Sequence, residues 1–173
     1  DVSFVPHKKA IYNIRSNRNL DTLLDIWTGL IYPKDKNLEF HITPNLFEYS
    51  DKLKNHNIFL RTIGSRREMI DELKHSRVLL YLGHKSDIFT LTAEEAIRLC
   101  VPVITYGIGS LSERVSHGSN GFIAKNSSEF AKYTLDLMNN DSILRELKAK
   151  MFKKRLELTW SVIADTWIKN FLR

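Results

Sequence analysis

One cysteine, Cys100, stands among 173 residues. A disulfide framework is therefore excluded, and a reducing, cytoplasmic setting is expected. Long apolar runs are also missing. The longest, such as that at 78–83, fall far short of the roughly 20 residues a membrane-crossing helix needs. No basic-then-apolar opening segment has the pattern of a signal peptide. There is no internal repeat, linker or low-complexity stretch. The six histidines (His7, His41, His56, His75, His84 and His117) have no metal-ligand spacing, so no metal is expected. They read as surface or locally satisfied side chains, His84 being set apart by the loop it adjoins. Neither a Walker loop nor a Ser–His–Asp set is present. GIGSLS at 107–112 lacks the third glycine of a dinucleotide fingerprint, and its strand comes late in the chain. No interleaving of aromatic and basic residues marks a nucleic-acid face, so nucleic acid is not an expected partner.

Hydrophobic residues make up 43% of the chain and charged residues 27%, the balance of a folded globular domain. The length suits one domain with a sizeable core. The formal net charge is +6, which favours anionic partners: nucleotides, nucleic acid or an acidic membrane surface. The one dense basic cluster, KAKMFKKR at 148–155, falls on an expected helix. It reads as a solvated face, a patch for peripheral membrane contact, or a nucleic-acid site, in falling order.

Six runs rich in β-formers read as strands: 9–14, 38–43, 58–63, 78–82, 102–106 and 121–124. Several lack polar alternation, as strands buried on both faces do. Helical patterns lie between them. Leu20, Leu23, Leu24, Trp27, Leu30 and Ile31 share a face, with Asn19 as N-cap and Asp21 in the first turn. Met69, Ile70 and Leu73 share another, and Cys100 joins Ala96 and Ile97 on an apolar face as core. Thr92 with Glu95, Ser110 with Glu113, and Asn126 with Glu129 each have capping-box spacing. From Asp141 to Leu172 two helices are expected around a break near Thr159, with Trp27, Trp160 and Trp167 at core spacing. Alternating strands and helices with short connections predict a single α/β domain, a doubly wound parallel Rossmann-like sheet in three layers. Ligands of such sheets bind at the carboxyl ends of the strands.

Two of the loops there carry candidate chemistry. IRSNRN after the first strand sets Arg15 and Arg18 near a helix N-terminus, either as a diphosphate site or as a solvated pair on a turn. HKSDIFTLTAEEA (84–96) joins a buried strand to a helix. The amides of Thr90, Leu91 and Thr92 are placed to meet a phosphate, helped by the helix dipole. Asp87 and Glu95 are suited to accept sugar or ribose hydroxyls. The alternatives are a turn role for Asp87 and a capping box for Glu95.

These motifs, in this order, resemble the C-terminal domain of retaining glycosyltransferases of the glycosyltransferase-B fold, in the group 1 family. That family has Glu-Gly-Phe-Gly-Leu-Pro-x-x-Glu-Ala, then Gly-x-Pro-Val-Ile, then Gly-Gly-x-x-Glu, then Asn-Gly-Phe. This chain has DIFTLTAEEA, VPVITY, IGSLSE and NGF. Upstream, NLDTLLDIW is similar to Gly-Leu-Asp-x-Leu-Leu-Glu-Ala-Trp, and TWSVIADTWIKNFL is similar to the closing helix. The resemblance implies that Glu95 holds the ribose hydroxyls and that Asp87 contacts the donor sugar. It implies that Thr90 and Leu91 offer amides to the diphosphate, that Arg15 and Arg18 neutralise it, and that Gly64 and Ser65 border the base. This chain departs from the pattern in several places. Asp87 replaces a glutamate, Ile88 and Thr90 replace glycines, Asn19 replaces a glycine after a loop about two residues shorter, and Cys100-Val101-Pro102 lacks the usual glycine. Nucleotide binding survives such changes more easily than catalysis does.

The resemblance thus implies that residues 1–173 bind a nucleoside-diphosphate sugar, UDP- or GDP-linked, without metal or other cofactor. An N-terminal acceptor-binding domain, absent from these residues, would complete the site, so the chain by itself is expected to be inactive. It also implies a cytoplasmic protein, or one at the cytoplasmic face of a membrane, in polysaccharide biosynthesis. Two rivals remain. A nucleotide-sugar epimerase would need acid–base residues that are not identifiable here, and a noncatalytic nucleotide-binding or scaffolding module would differ by binding or function alone.

Overall fold

The computed structural model describes residues 3–15, 17–43, 53, 55–62, 64–157 and 159–171. Ser16, Ile63 and Leu172, each part of an expected loop, strand or helix, lie outside the described residues. Six strands form where the β-rich runs are: β1 (Lys9–Tyr12), β2 (Glu39–Ile42), β3 (Ile58–Leu60), β4 (Val78–Leu80), β5 (Val103–Thr105) and β6 (Gly121–Ile123). They make one sheet in the order β3-β2-β1-β4-β5-β6, every pair parallel. All residues of β1, β4 and β5 are buried. This explains their lack of polar alternation: helices cover both faces, and the one charged member, Lys9, is buried with its ammonium on Glu72. Strand order reverses between β1 and β4, which pair through Ala10 with Val78 and Ile11 with Leu79. The loops leaving their carboxyl ends diverge there and open a crevice.

The helices are α1 (Leu20–Ile26), α2 (Arg66–Lys74), α3 (Leu91–Arg98), α4 (Leu111–Arg114), α5 (Ser127–Asn139), α6 (Asp141–Glu157) and α7 (Trp160–Phe171). A π-turn, Trp27–Ile31, continues α1. Its Tyr32 N–H reaches back five residues to the Trp27 carbonyl at 2.8 Å, and the Thr28 hydroxyl donates to the Leu24 carbonyl. The wider turn shifts the helical phase. Trp27 and Ile31 are therefore buried, whereas Leu30, expected on the same face, is exposed. Trp27 stacks on Phe40 and donates its indole N–H to the His56 carbonyl.

The caps differ from the spacing-based expectation. Asn19 precedes α1 in the left-handed region (φ 60°) and makes no side-chain cap, because its amide donates instead to the Gly83 carbonyl at 2.6 Å. Thr92 and Glu95 form no capping box: α3 starts at Leu91, which puts Thr92 inside its first turn. Ser110 caps nothing with its side chain, since its hydroxyl bonds that of Thr90. Asn126 does cap α5, accepting from the Glu129 N–H. A full capping box forms at Ser65–Glu68, ahead of α2. The break near Thr159 falls between α6 and α7. However, Trp160 and Trp167 are exposed, and α7 buries no residue. A periodic stripe marks an apolar face without saying what covers it. The basic cluster on α6 is divided. The Lys148 ammonium is buried and donates to the Phe4 carbonyl, and burial holds its pKa below the ordinary value. Met151 is core, Arg155 donates to the Arg98 carbonyl, and Lys153 and Lys154 face solvent. Among the described residues, no helix is long and apolar enough to cross a membrane.

Candidate functional site

A cleft of about 930 Å³ opens at the strand-order reversal. All nine residues singled out in the sequence line it: Arg15, Arg18, Gly64, Ser65, Asp87, Thr90, Leu91, Thr92 and Glu95. Asn13, Thr43, Arg66 and Tyr81 join them.

The loop after β1 is held from beneath. Tyr12, fully buried, sends its phenol up to the Arg15 carbonyl at 2.6 Å and towards the Arg18 carbonyl at 3.4 Å. The loop backbone is thereby fixed while the Arg15 side chain stays exposed. Arg18 is half-buried. Its Nε lies 3.1 Å from Asp87 Oδ1, and its Nη1 lies 3.4 Å from His84 Nδ1. That ring nitrogen also accepts the Ser86 N–H, so it carries no proton. Asn19 ties the β1 loop to the β4 loop through the Gly83 carbonyl.

The loop after β4 turns sharply into α3. The Asp87 N–H donates to the His84 carbonyl, and the Asp87 carbonyl accepts from the Ser110 N–H. Gly109 lets the two loops touch: a Cβ there would lie 2.5 Å from the His84 carbonyl oxygen. The Asp87 carboxylate also accepts a hydrogen bond from the Tyr81 hydroxyl. Burial and this carboxylate push the Tyr81 phenol well above its ordinary range, so it stays a donor. At the start of α3, Thr90 is the N-cap residue, but no side chain caps the helix. The Thr90 hydroxyl is turned away to Ser110. The first-turn N–H groups and the positive end of the dipole are thus left to the cleft. Ile88, Phe89 and Leu91 form an exposed apolar lip, with the Arg114 guanidinium stacked 3.9 Å from the Phe89 ring.

The opposite wall is the turn before α2. The Gly64 and Ser65 N–H groups both donate to the Glu68 carboxylate, and the Ser65 hydroxyl accepts from the Glu68 N–H. Neither amide is therefore free for a ligand, and the Ser65 carbonyl accepts the Met69 N–H within α2. The capping box sets Arg66 at the first helical position, from which its Nη2 reaches Glu95 Oε1 at 3.4 Å. Glu95 is otherwise open to the cleft, not tied to a cap. Asn13 sits at the end of β1. Its Oδ1 accepts from the Thr43 hydroxyl, while its Nδ2 is buried with no protein partner. Sequence reading missed Asn13, Tyr81 and Arg66. The first two lie inside expected strand runs, where the pattern reads only apolar content. The signal for Arg66 was the overlooked Ser-x-x-Glu at 65–68. Among the described residues, no three His, Cys, Asp or Glu side chains are grouped to hold a metal.

Three comparisons bear on this geometry. The profile of glycosyl transferases group 1 matches residues 12–155. No curated protein matches significantly. Solved structures share the fold at low identity. A variant of S. aureus TarM, in complex with fondaparinux, α-GlcNAc-glycerol and UDP, is 21% identical with a TM-score of 0.76 over 94% of this chain and 35% of TarM. The pneumococcal O-GlcNAc transferase GtfA, in complex with UDP and GlcNAc, is 18% identical with a TM-score of 0.73 over 95% of this chain and 35% of GtfA. Anabaena HepE, in complex with UDP-glucose, is 13% identical with a TM-score of 0.73 over 96% of this chain and 48% of HepE. The chain thus spans 35% to 48% of the length of these structures.

Proposed function

Because the chain belongs to the glycosyl transferases group 1 family, we propose that its cleft binds a nucleoside-diphosphate sugar and presents it for glycosyl transfer. The observation that carries this is the uncapped start of α3, sharing one cleft with Arg15, Arg18 and Arg66. Helix-terminal amides and guanidiniums in one concavity suit a diphosphate. In the transfer step the sugar–phosphate bond breaks and negative charge builds on the departing diphosphate. The Arg15 and Arg18 guanidiniums and the amides of Thr90, Leu91 and Thr92 would stabilise that charge without a metal ion.

Glu95 would accept two ribose hydroxyls, and Gly64 and Ser65 would border the base. The family resemblance also sets Asp87 at the donor sugar and implies retention at the anomeric carbon. UDP is the favoured diphosphate, since TarM, GtfA and HepE were each crystallised with UDP or UDP-glucose; GDP is the alternative. An acceptor-binding domain outside residues 1–173 would complete the active site, so these residues are expected to bind donor without turning it over.

The test is a thermal-shift series with UDP, GDP, ADP, CMP and dTDP. Ligand at a hundred times its Kd adds about 2.7 kcal/mol, which raises the midpoint by roughly 5–10 °C at this chain length. A shift confined to one base identifies the donor class. No shift with any of the five overturns the proposal and leaves a noncatalytic module.

A further inference from the structure

We propose that Asp87 is a positioning residue, acting through Arg18 as one side of a Tyr81–Asp87–Arg18 bracket. This rests on the donor-binding reading above and assigns a role within that site.

The carboxylate of Asp87 is nearly buried, and both of its oxygens are engaged. Oδ1 holds Arg18 Nε at 3.1 Å, and Oδ2 accepts a hydrogen bond from the Tyr81 hydroxyl. Each oxygen thus gives one of its two acceptor sites to a protein donor, which fixes the plane of the carboxylate against Arg18. The shorter side chain favours this arrangement, since an aspartate at this turn sits close over Tyr81 at the end of β4. The base of the bracket is rigid. Tyr81 is 1% exposed and edge-packed on Tyr12, which in turn donates to the backbone at Arg15 and Arg18. The Asp87 backbone is clamped between His84 and Ser110.

The result is an arginine fixed at both ends. Tyr12 holds its backbone, while Asp87 on Nε and His84 near Nη1 hold its head. Among the described residues, no protein group engages Nη2. A guanidinium held in this way keeps one edge for a phosphate and loses little side-chain freedom on binding. The negative charge of Asp87 is balanced by the arginine it holds, so the bracket orients the cation without adding net repulsion towards the diphosphate.

The test is a double-mutant cycle on the 173-residue chain, titrated with UDP and with UDP-glucose (GDP and GDP-mannose if guanine proves to be the base). Asp87→Asn should weaken both ligands by the same factor, roughly five- to tenfold for loss of a charge-assisted pair. Tyr81→Phe should follow in the same direction by roughly two- to threefold. In an Arg18→Ala background, Asp87→Asn should change neither affinity by more than about twofold, since a residue that acts only through Arg18 has nothing left to act on. Melting midpoints report whether each variant is folded, and a fold defect alone would not vanish in the Arg18→Ala background. Selective loss of UDP-glucose affinity with UDP unchanged would restore Asp87 as a sugar contact and overturn the bracket. So would tighter UDP binding by Asp87→Asn, which would make Asp87 a competitor of the phosphate. If the unsubstituted chain binds neither ligand, the donor-binding reading fails and the bracket with it.

Discussion

Gly109 is the point at which the loop after β5 touches the loop after β4, and replacing it with alanine should loosen both the fold and the site. Its φ is +66°, and an added Cβ would meet the His84 carbonyl oxygen at 2.5 Å and the Asp87 carbonyl oxygen at 3.0 Å. Gly118 supplies an internal control, with a similar φ of +73° and nothing within 4 Å of the added Cβ. Left-handed backbone alone should cost either alanine about 1 kcal/mol. At Gly109 the backbone contact must also be relieved by moving the 84–87 loop, which adds about 1–3 kcal/mol by analogy with overpacking. Gly109→Ala should therefore lose about 2–4 kcal/mol, and Gly118→Ala about 1 kcal/mol. The assay is urea unfolding followed by tryptophan fluorescence, checking that the slope with denaturant is unchanged. Equal losses at the two positions would show that the loop accommodates the methyl freely and that the close approach has no energetic weight. Nucleotide affinity should also fall for Gly109→Ala alone, because the displaced loop carries Asp87 and His84, both held against Arg18.

Three further outcomes are expected. Glu95→Ala should weaken UDP binding by roughly tenfold or more, the worth of hydrogen bonds to a charged acceptor, while leaving stability within about 0.5 kcal/mol because it pairs with an exposed Arg66; calorimetry and urea unfolding read the two. Burial holds the His41 imidazole below its ordinary 6.5, against the opposing hydrogen bond to Glu39. A lowered folded pKa means the unfolded chain binds the extra proton, so this contribution is complete above the unfolded value and is lost as pH falls below it. Urea stability should decline from pH 7.5 to pH 5, and His41→Gln should flatten that decline. Glu72, whose pKa burial raises but Lys9, His41 and Arg61 together lower, gives a contribution that is complete above its ordinary 4.5 and is lost only below it, outside this window. Gly29→Ala, at an exposed position of the π-turn with open space at the added Cβ, should stabilise by about 0.5–1 kcal/mol, seen as a higher melting midpoint.

The sheet was legible because its signal is local: all six runs rich in β-formers became strands, and β1, β4 and β5 are buried throughout. The candidate residues were legible as loop members, since parallel topology sends the loops after β1 and β4 to one end of the sheet. What those residues bond to was not legible. Spacing alone paired Thr92 with Glu95. The helix instead starts earlier, at Leu91, with Thr92 already inside its first turn, and Glu95 found Arg66 from another helix. Nor could periodicity separate Trp27, packed on Phe40 from a neighbouring strand, from Trp160 and Trp167, which meet no such surface in these residues. Tyr81 and Asn13 read as sheet filler because only the crossover order of the strands puts their polar ends under the cleft.

Cys100 tests whether the departures from the family pattern change backbone geometry or only side chains. It follows α3 at φ 59°, where its N–H donates to the Ile97 carbonyl at 3.0 Å and the Val101 N–H donates to the Ala96 carbonyl at 2.8 Å. These two bonds form a Schellman motif, whose left-handed residue is most often glycine. The family's glycine conformation is therefore kept by a residue with a Cβ. Asn19, at φ 60° in place of another glycine, repeats the pattern and gains the Gly83 bond. If conformation rather than side-chain packing dominates at Cys100, glycine should outrank alanine there. Cys100→Gly should then be more stable than Cys100→Ala by about 0.5–1 kcal/mol, the reverse of the order within a helix. At roughly 2–4 °C per kcal/mol for a chain of this length, differential scanning calorimetry can read the difference. Alanine above glycine would mean that the buried Cβ contributes more than the backbone costs, and cysteine would then be a packing choice. Glycine above alanine would mean that the turn geometry is what the chain has kept while its side chains diverged.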